Sequence, residues 1–183
     1  MESYLASIIK QFEYYKSLGD KTFEQLSFDE LQKEFVEDSN SISIITKHMV
    51  GNMLSRWTNF LTEDGEKSWR NRDVEFERSY ASKEELINEW NKGCECLFNA
   101  IKPLNYNDLE KIIYIRNEGH TVLEAINRQV SHYAYHVGQI VFLGKLLKGK
   151  KWQSLSIPKD FSSKFNQEKF GQEKRKRHFT EEG

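Results

Sequence analysis

Proline is scarce in this sequence, and its scarcity leaves long stretches of chain free to remain helical. The 183 residues include two prolines, Pro103 and Pro158, and leucine, isoleucine, glutamate and lysine are plentiful. The sequence also lacks any run approaching about 18 apolar residues, the length that a membrane-spanning helix needs. Its first four residues lack the basic start of a secretory signal. These absences predict a helical protein with no membrane segment.

Cysteine is equally scarce, and positive and negative charges nearly balance. Cys94 and Cys96 lie two positions apart in a helical segment, so their side chains point to different faces and cannot bridge each other. We therefore expect a reduced, cytoplasmic protein. The formal net charge of −1 gives no general attraction to nucleic acid or membranes. A basic run at 174–177, followed by Glu181 and Glu182, is typical of a solvated tail, so nucleic-acid binding is not expected.

Amphipathic segments fill most of the chain. Hydrophobic residues recur at helical spacing in four of them, which cover residues 2–26, about 40–60, 82–101 and 121–148. Capping-box patterns begin at Ser27, Ser82 and Thr121, and Gly149 follows the last segment as a C-cap. The sequence therefore predicts an all-α protein with four long helices, and a short helical turn after Ser27.

Connections of different kinds join these helices. Residues 62–80 form a long polar loop, but Trp69 and Phe76 within it indicate that it packs against the helices. Residues 110–116 are apolar and β-prone, which predicts a short extended piece or a hairpin. We expect one domain over residues 1–170, ending in an extended segment around 152–158, and a charged, disordered tail over 171–183.

Histidine spacing gives the clearest functional pattern. His132 and His136 lie four residues apart on one face of the last long helix, where two neutral imidazoles can share a transition-metal ion. The helix lacks the glutamate that metalloproteases place beside the first histidine. His48, at the edge of the apolar stripe of the second helix, is the candidate third ligand. Ordinary hydrogen-bonded histidines are the alternative, and His120 and His178 are expected to be solvated.

Four polar residues are candidates for binding a substrate beside these histidines. Asn52 follows His48 by one helical turn, and Arg56 follows it by two on a similar face. Arg70 and Arg72 lie in the long polar loop and suit an anionic ligand. Ion pairs with acidic residues of the same loop are the alternative for both loop arginines.

These features together resemble the DinB-like superfamily, which includes the YfiT-like metal-dependent hydrolases and thiol S-transferases. The resemblance covers roughly residues 1–170 and is carried by one histidine on the second helix and His-x3-His on the fourth. An uncharacterised branch of the superfamily shares further segments, which lie here at 51–57, 64–76, 132–140 and 155–158. The resemblance implies an up-down-down-up four-helix bundle with a long loop between helices 2 and 3. It also implies a homodimer and a zinc or nickel ion held by His48, His132 and His136.

Three histidine ligands leave an open coordination position, which is the arrangement of catalytic rather than structural metal sites. Such a site can activate a water for hydrolysis or hold a thiol as its thiolate. The resemblance favours a thiol S-transferase, in which a low-molecular-weight thiol attacks a small electrophilic substrate. A metal-dependent hydrolase and a non-catalytic, stress-associated dimeric metal-binding protein are the alternatives.

Overall fold

The protein is mostly helical, as a computed structural model that describes residues 2–77 and 80–181 shows. Six helices are present in that part of the chain: α1 (Glu2–Gln25), α2 (Phe28–Leu31), α3 (Ile42–Trp57), α4 (Lys83–Ile101), α5 (Val122–Lys148) and α6 (Ser162–Phe170). Two short strands, β1 (Ile112–Ile115) and β2 (Glu118–Thr121), form an antiparallel hairpin. The four predicted long helices are therefore all present, with a small sheet added to them.

The four long helices pack in pairs around one hydrophobic core. Helix α1 lies mainly against α5, and α3 lies mainly against α4, while α3–α5 and α1–α4 contacts close the arrangement. The largest fully buried side chains include Trp90, Tyr133, Phe23 and Met49, one from each long helix. Burial of these amphipathic stripes is what drives such helices together. In the described part of the chain, no helix is both long and apolar enough to cross a membrane.

Helix ends follow the predicted caps closely. Ser27 and Thr121 each form a complete capping box, and Ser82 accepts a hydrogen bond from the backbone N–H of Glu85. Gly149 ends α5 with φ of +53°, a conformation that favours glycine. The side-chain caps satisfy backbone N–H groups that a helix cannot pair internally, which fixes where α2, α4 and α5 begin.

The long loop after α3 is held against the hairpin by polar contacts, and of the two aromatic residues expected to pack it down, Phe76 lies against His48 whereas Trp69 is 59% exposed. Arg116 and Asn117 form the hairpin turn with φ of 57° and 62°. Their backbone N–H groups donate to the two carboxylate oxygens of Asp64 at 2.9 and 2.8 Å. The N–H of Gly65 donates to the carbonyl of Tyr114 at 2.8 Å. Backbone contacts therefore hold the first part of the loop in one place.

The C-terminal part differs from the sequence expectation in two respects. Helix α6 was not predicted, because its residues lack an apolar stripe and remain mostly exposed. The segment after it lies against α1, where His178 hydrogen-bonds Ser7 at 2.9 Å and Glu181 pairs with Lys10. His178 and His120 are half-buried, so both are less exposed to solvent than expected. The division of the chain at residue 170 stays a prediction.

Close packing of α5 on α1 predicts opposite effects of two glycine substitutions in α5. A Cβ at Gly144 would lie 2.7 Å from Cγ2 of Thr22, a β-branched side chain fixed by its hydrogen bond to Leu18. A Cβ at Gly138 would meet nothing within 4 Å. Gly144→Ala should lower the free energy of unfolding by about 1–3 kcal/mol through overpacking. Gly138→Ala should raise it by up to about 1 kcal/mol through helix propensity.

Urea denaturation of the two variants beside the wild-type protein measures both effects. Equal stability of Gly144→Ala and Gly138→Ala would contradict the close α1–α5 contact.

Candidate metal centre

Three histidines from two helices meet where α3 packs on α5. The ligand nitrogens of His48, His132 and His136 all lie within 4.8 Å of one another. The ring centroids of His132 and His136 are 4.6 Å apart, and the ring of His48 lies 5.6 and 5.1 Å from them. The helical spacing stacks the α5 pair, and α3 supplies the third ring from across the contact. The structure therefore brings the whole predicted ligand set together.

His48 is held by a buried carboxylate from the long loop. Its Nδ1–H donates to Oε2 of Glu75 at 2.8 Å, and both side chains are more than nine-tenths buried. Glu75 also accepts from Nε and Nη2 of Arg70 at 2.8 and 3.0 Å. Burial raises the pKa of Glu75, but the bonds from His48 and Arg70 outweigh it and leave the pKa below its usual value. Glu75 is thus a carboxylate that fixes the His48 ring and leaves Nε2 as its ligand nitrogen.

Gly51 makes room for this carboxylate on the surface of α3. A Cβ at position 51 would lie 2.2 Å from Oε1 of Glu75 and 2.7 Å from its Cδ. Any larger residue would therefore displace the carboxylate from its place beside the helix. Phe76, the next residue of the loop, covers His48 with its ring centroid 5.0 Å from the imidazole centroid. The loop thus contacts His48 through both Glu75 and Phe76.

The α5 pair presents its Nε2 atoms to each other. Nε2 of His132 and Nε2 of His136 are 3.1 Å apart, and Nδ1 of His136 lies 2.9 Å from Oε1 of Gln139. Burial, and then the charges of His136, His48, Arg56 and Arg70, lower the pKa of His132 to about 3. Burial also lowers the pKa of His136. The two imidazoles are therefore neutral at pH 7, which is the state that binds a metal.

The spacing of the α5 pair suits two ligands of a tetrahedral transition-metal ion. Two nitrogens bound at about 2.0–2.1 Å to a tetrahedral zinc ion lie roughly 3.3 Å apart, close to the 3.1 Å between the Nε2 atoms of His132 and His136. In the described residues, the metal-capable group consists of these three side chains, with no carboxylate or thiolate among them. Three imidazoles would leave a fourth position for a small molecule.

Asn52 and Arg56, both predicted to bind substrate, are buried and bonded within the protein. Oδ1 of Asn52 accepts from the hydroxyl of Tyr133 at 3.1 Å. Arg56 donates from Nη1 to the carbonyl of Gly65 and to Glu66, and its Nε is buried without a partner. Burial lowers the pKa of the Arg56 guanidinium, and its pair with Glu66 partly opposes that effect. Both residues hold α3 against its neighbours.

Arg70 and Arg72, the two loop arginines, occupy different environments. The Arg70 side chain is 3% exposed and pairs with Glu75 and Glu66, so the alternative of an internal ion pair applies to it. Arg72 is exposed, and its guanidinium carbon lies 5.1 Å from the centroid of Phe76, the ring that covers His48. Arg72 is thus the predicted substrate-binding cation whose charge faces solvent near the histidines.

Glu75 and Gln139 are the neighbours of the histidines to which sequence reasoning gave no role. Glu75 lies 27 positions from His48 in a non-periodic loop, so no helical spacing relates the two. Gln139 follows His136 by three positions on the same helix face, and that spacing was a readable signal.

These observations define the class of protein: it is mostly helical and has a three-histidine cluster between two of its helices. A family model described as "Protein of unknown function (DUF1572)" matches residues 1–161. The chain belongs to this family. No curated protein and no solved structure matches the chain.

The tight approach of Glu75 to α3 predicts that Gly51→Ala weakens metal binding. The added methyl would displace the carboxylate from Nδ1 of His48, and loss of such a partner typically costs about 10–100-fold in metal affinity. Gly138→Ala is the matched control, because the same substitution on the ligand-bearing helix meets open space. Competition with a chromophoric zinc chelator gives both dissociation constants, and equal values would show that Glu75 does not support the site.

Proposed function

We propose that this protein is a metal-dependent enzyme of the DinB-like type, and that it transfers a low-molecular-weight thiol to an electrophile. The proposal is carried by the cluster of His48, His132 and His136, which provides three imidazoles and no fourth protein ligand among the described residues. Catalytic zinc sites commonly have three protein ligands, whereas structural sites have four. Zinc and nickel are the ions we expect, since both accept imidazole.

The packing of the long helices supports the finer fold assignment. We propose that α1, α3, α4 and α5 form an up-down-down-up bundle of the DinB-like type. Helix α1 lies mainly against α5 and α3 mainly against α4, and the histidines come from the second and fourth of these long helices. The resemblance implies the same order for the metal ligands.

The chemistry that a divalent ion supplies in such a site is a lowered pKa for a thiol or water in the open position. The contacts of Glu75 favour activation of a thiol over activation of a water. Both of its oxygens are engaged, by His48 and by Arg70, so it orients the His48 ring and is not placed as a base for water. A thiol needs less help, because its own pKa is near 8.5.

The proposed reaction is a substitution at carbon. The thiol sulfur forms a bond to the electrophilic carbon, the bond from that carbon to its leaving group breaks, and the leaving group departs with the electron pair. The thiol proton passes to solvent. His48, His132 and His136 hold the site, while Phe76 covers one side of His48 and limits the approach of water there.

Arg72 is our candidate for recognition of the thiol. Common low-molecular-weight thiols carry carboxylates, and a guanidinium can bind a carboxylate through two parallel hydrogen bonds. Arg72 is exposed and lies over Phe76, the ring that covers His48, whereas Arg70 is paired with Glu75 and Glu66. We keep Asn52 and Arg56 as supports of α3 and no longer propose that they contact the substrate.

An exposed stripe on α5 supports our further proposal of a homodimer. Tyr135, Phe142 and Leu146 are 63%, 66% and 53% exposed and lie along one side of the helix. Exposed apolar residues in such a row are typical of a contact surface.

The first functional prediction concerns metal dependence. Protein purified without a His tag should contain about one divalent ion per chain, and His136→Ala should lose it, because two remaining imidazoles bind far more weakly. The metal-loaded wild type should conjugate a small thiol to monobromobimane, and His136→Ala should not. Elemental analysis and fluorescence of the conjugate measure the two results.

A control and two contrary outcomes complete that experiment. His178→Ala removes a histidine that hydrogen-bonds Ser7 on α1 and is not one of the three clustered histidines. This variant should keep both the metal and the activity. Full metal content in His136→Ala would refute the ligand assignment. Tight one-to-one metal binding with no conjugation across several thiols would overturn thiol transfer, and ester hydrolysis would then be assayed as the alternative.

A second prediction separates binding of the thiol from chemistry. Arg72→Ala should raise the KM for a carboxylate-bearing thiol about tenfold, the loss expected for one charge-assisted hydrogen bond, and leave kcat unchanged. The KM for 2-mercaptoethanol, which has no carboxylate, should stay at the wild-type value. An equal rise for both thiols would show that Arg72 supports the loop and does not recognise the carboxylate.

A further inference from the structure

Two of the three histidines in the cluster have an outer hydrogen-bond partner, and the third lacks one. Nδ1 of His48 bonds Glu75, and Nδ1 of His136 bonds Gln139. Nδ1 of His132 is buried and has no partner. Histidines that bind metals almost always donate their second ring N–H to a fixed acceptor, which sets the tautomer and the ring orientation. Nδ1 of His132 therefore identifies an incomplete position in an otherwise supported cluster.

A second buried polar group without a partner lies one turn away on the same helix. The Gln129 side chain belongs to a residue only 3% exposed, and its Oε1 makes no hydrogen bond. Residues three apart on an α-helix are neighbours, and helical side chains tilt towards the N-terminus, so the ring of His132 lies over the turn that contains Gln129. Nε2 of His132 faces His136, so Nδ1 is the ring nitrogen left for an outer partner.

The hydrogen bonds of the α5 pair explain why the two groups are not bonded without a metal. Nδ1 of His136 donates to Oε1 of Gln139, so Nε2 of His136 is an acceptor. Nε2 of His132, 3.1 Å away, must then donate to it, which leaves Nδ1 of His132 as an acceptor. Oε1 of Gln129 is an acceptor too. Two acceptors cannot bond, so Nδ1 of His132 and Oε1 of Gln129 stay unpaired in the amide orientation that the structure shows.

Coordination would reverse the role of His132. A nitrogen that binds a metal carries no proton, so with an ion bound the neutral ring of His132 would carry its single hydrogen on Nδ1 and not on Nε2. The charge of the ring would stay the same. Nδ1–H would then be a donor one helical turn from the free acceptor of Gln129.

We infer that Gln129 is a positioning residue for the metal centre, whose Oε1 accepts a hydrogen bond from Nδ1–H of His132 only when the ion is bound. The inference rests on the proposed three-histidine metal site. It explains with one bond why two buried polar groups on neighbouring turns of α5 are both unpaired. It also gives each of the three histidines a partner of its own: Glu75, Gln129 and Gln139.

Gln129→Met is the direct test, because methionine has nearly the same length and shape and no hydrogen-bond acceptor of comparable strength. The zinc dissociation constant, measured by chelator competition, should rise about 10–100-fold. The thermal midpoint of the metal-free variant should equal or exceed that of the metal-free wild type, since the substitution removes a buried amide with an unpaired oxygen. Gln129→Glu, which restores an acceptor, should bind zinc more tightly than Gln129→Met.

Gln139→Met is the matched control for a partner that is already bonded. It should weaken zinc binding in the same range, but it should not raise the thermal midpoint of the metal-free protein, because it breaks an existing bond to His136. The thermal midpoints of the two metal-free variants therefore distinguish a hydrogen bond that forms only with the ion from one that is already present without it.

Nitrogen-15 NMR of the zinc-loaded wild-type protein provides a test that needs no variant. A slowly exchanging proton on Nδ1 of His132, absent from the metal-free spectrum, supports the inference. A metal-free spectrum that already shows this proton overturns it, and so does an unchanged zinc affinity in Gln129→Met. If the wild-type protein binds no ion at all, the proposed metal site fails together with the inference. Tight zinc binding that is unchanged in Gln129→Met would overturn the inference alone.

Discussion

A buried hydrogen-bonded seam between α3 and α5 determines where everything else in the site can lie. The hydroxyl of Tyr133 accepts from Nε1 of Trp57 at 3.0 Å and donates to Oδ1 of Asn52 at 3.1 Å. Tyr133 is 1% exposed, so any sliding of one helix along the other would leave these polar groups buried and unpaired. Hydrophobic packing alone would tolerate such a shift far better. The seam therefore fixes the level at which His48 meets the histidines of α5.

The loop after α3 completes the site by a series of charged contacts. Asp64 holds the hairpin turn, and Glu66 lies between Arg56, Arg70 and Arg116. Glu75 then hydrogen-bonds His48, in a position that is open because Gly51 has no side chain. Removing one member of such a chain leaves a buried charge without its partner, which costs more than the pair contributes. The loop is thus as much a part of the candidate metal centre as the two helices are.

Helical periodicity and capping made most of the fold predictable from the sequence. The starts at Ser27, Ser82 and Thr121 were readable because each pairs a side-chain acceptor with backbone donors only three residues away. The grouping of His132 with His136 needed nothing beyond helix geometry.

Glu75 could not be found in this way, because its bond to His48 depends on how a non-periodic loop folds. Helix α6 was missed because few of its side chains are buried. The contacts of Arg56 could not be predicted in the same way, because spacing shows which face a residue occupies, whereas its partners Gly65 and Glu66 come from the loop.

The length of chain between the two sides of the seam has a consequence for folding kinetics. Tyr133 is 76 and 81 positions from its partners Trp57 and Asn52, so these bonds close long stretches of the chain. Closing a long loop costs chain entropy before any contact compensates for it, and such contacts form late. The three histidines should also come together late in folding, because they are assembled by the same helix pair. An ion would then meet its full ligand set only in the nearly native chain, so it would slow unfolding strongly and change the folding rate little.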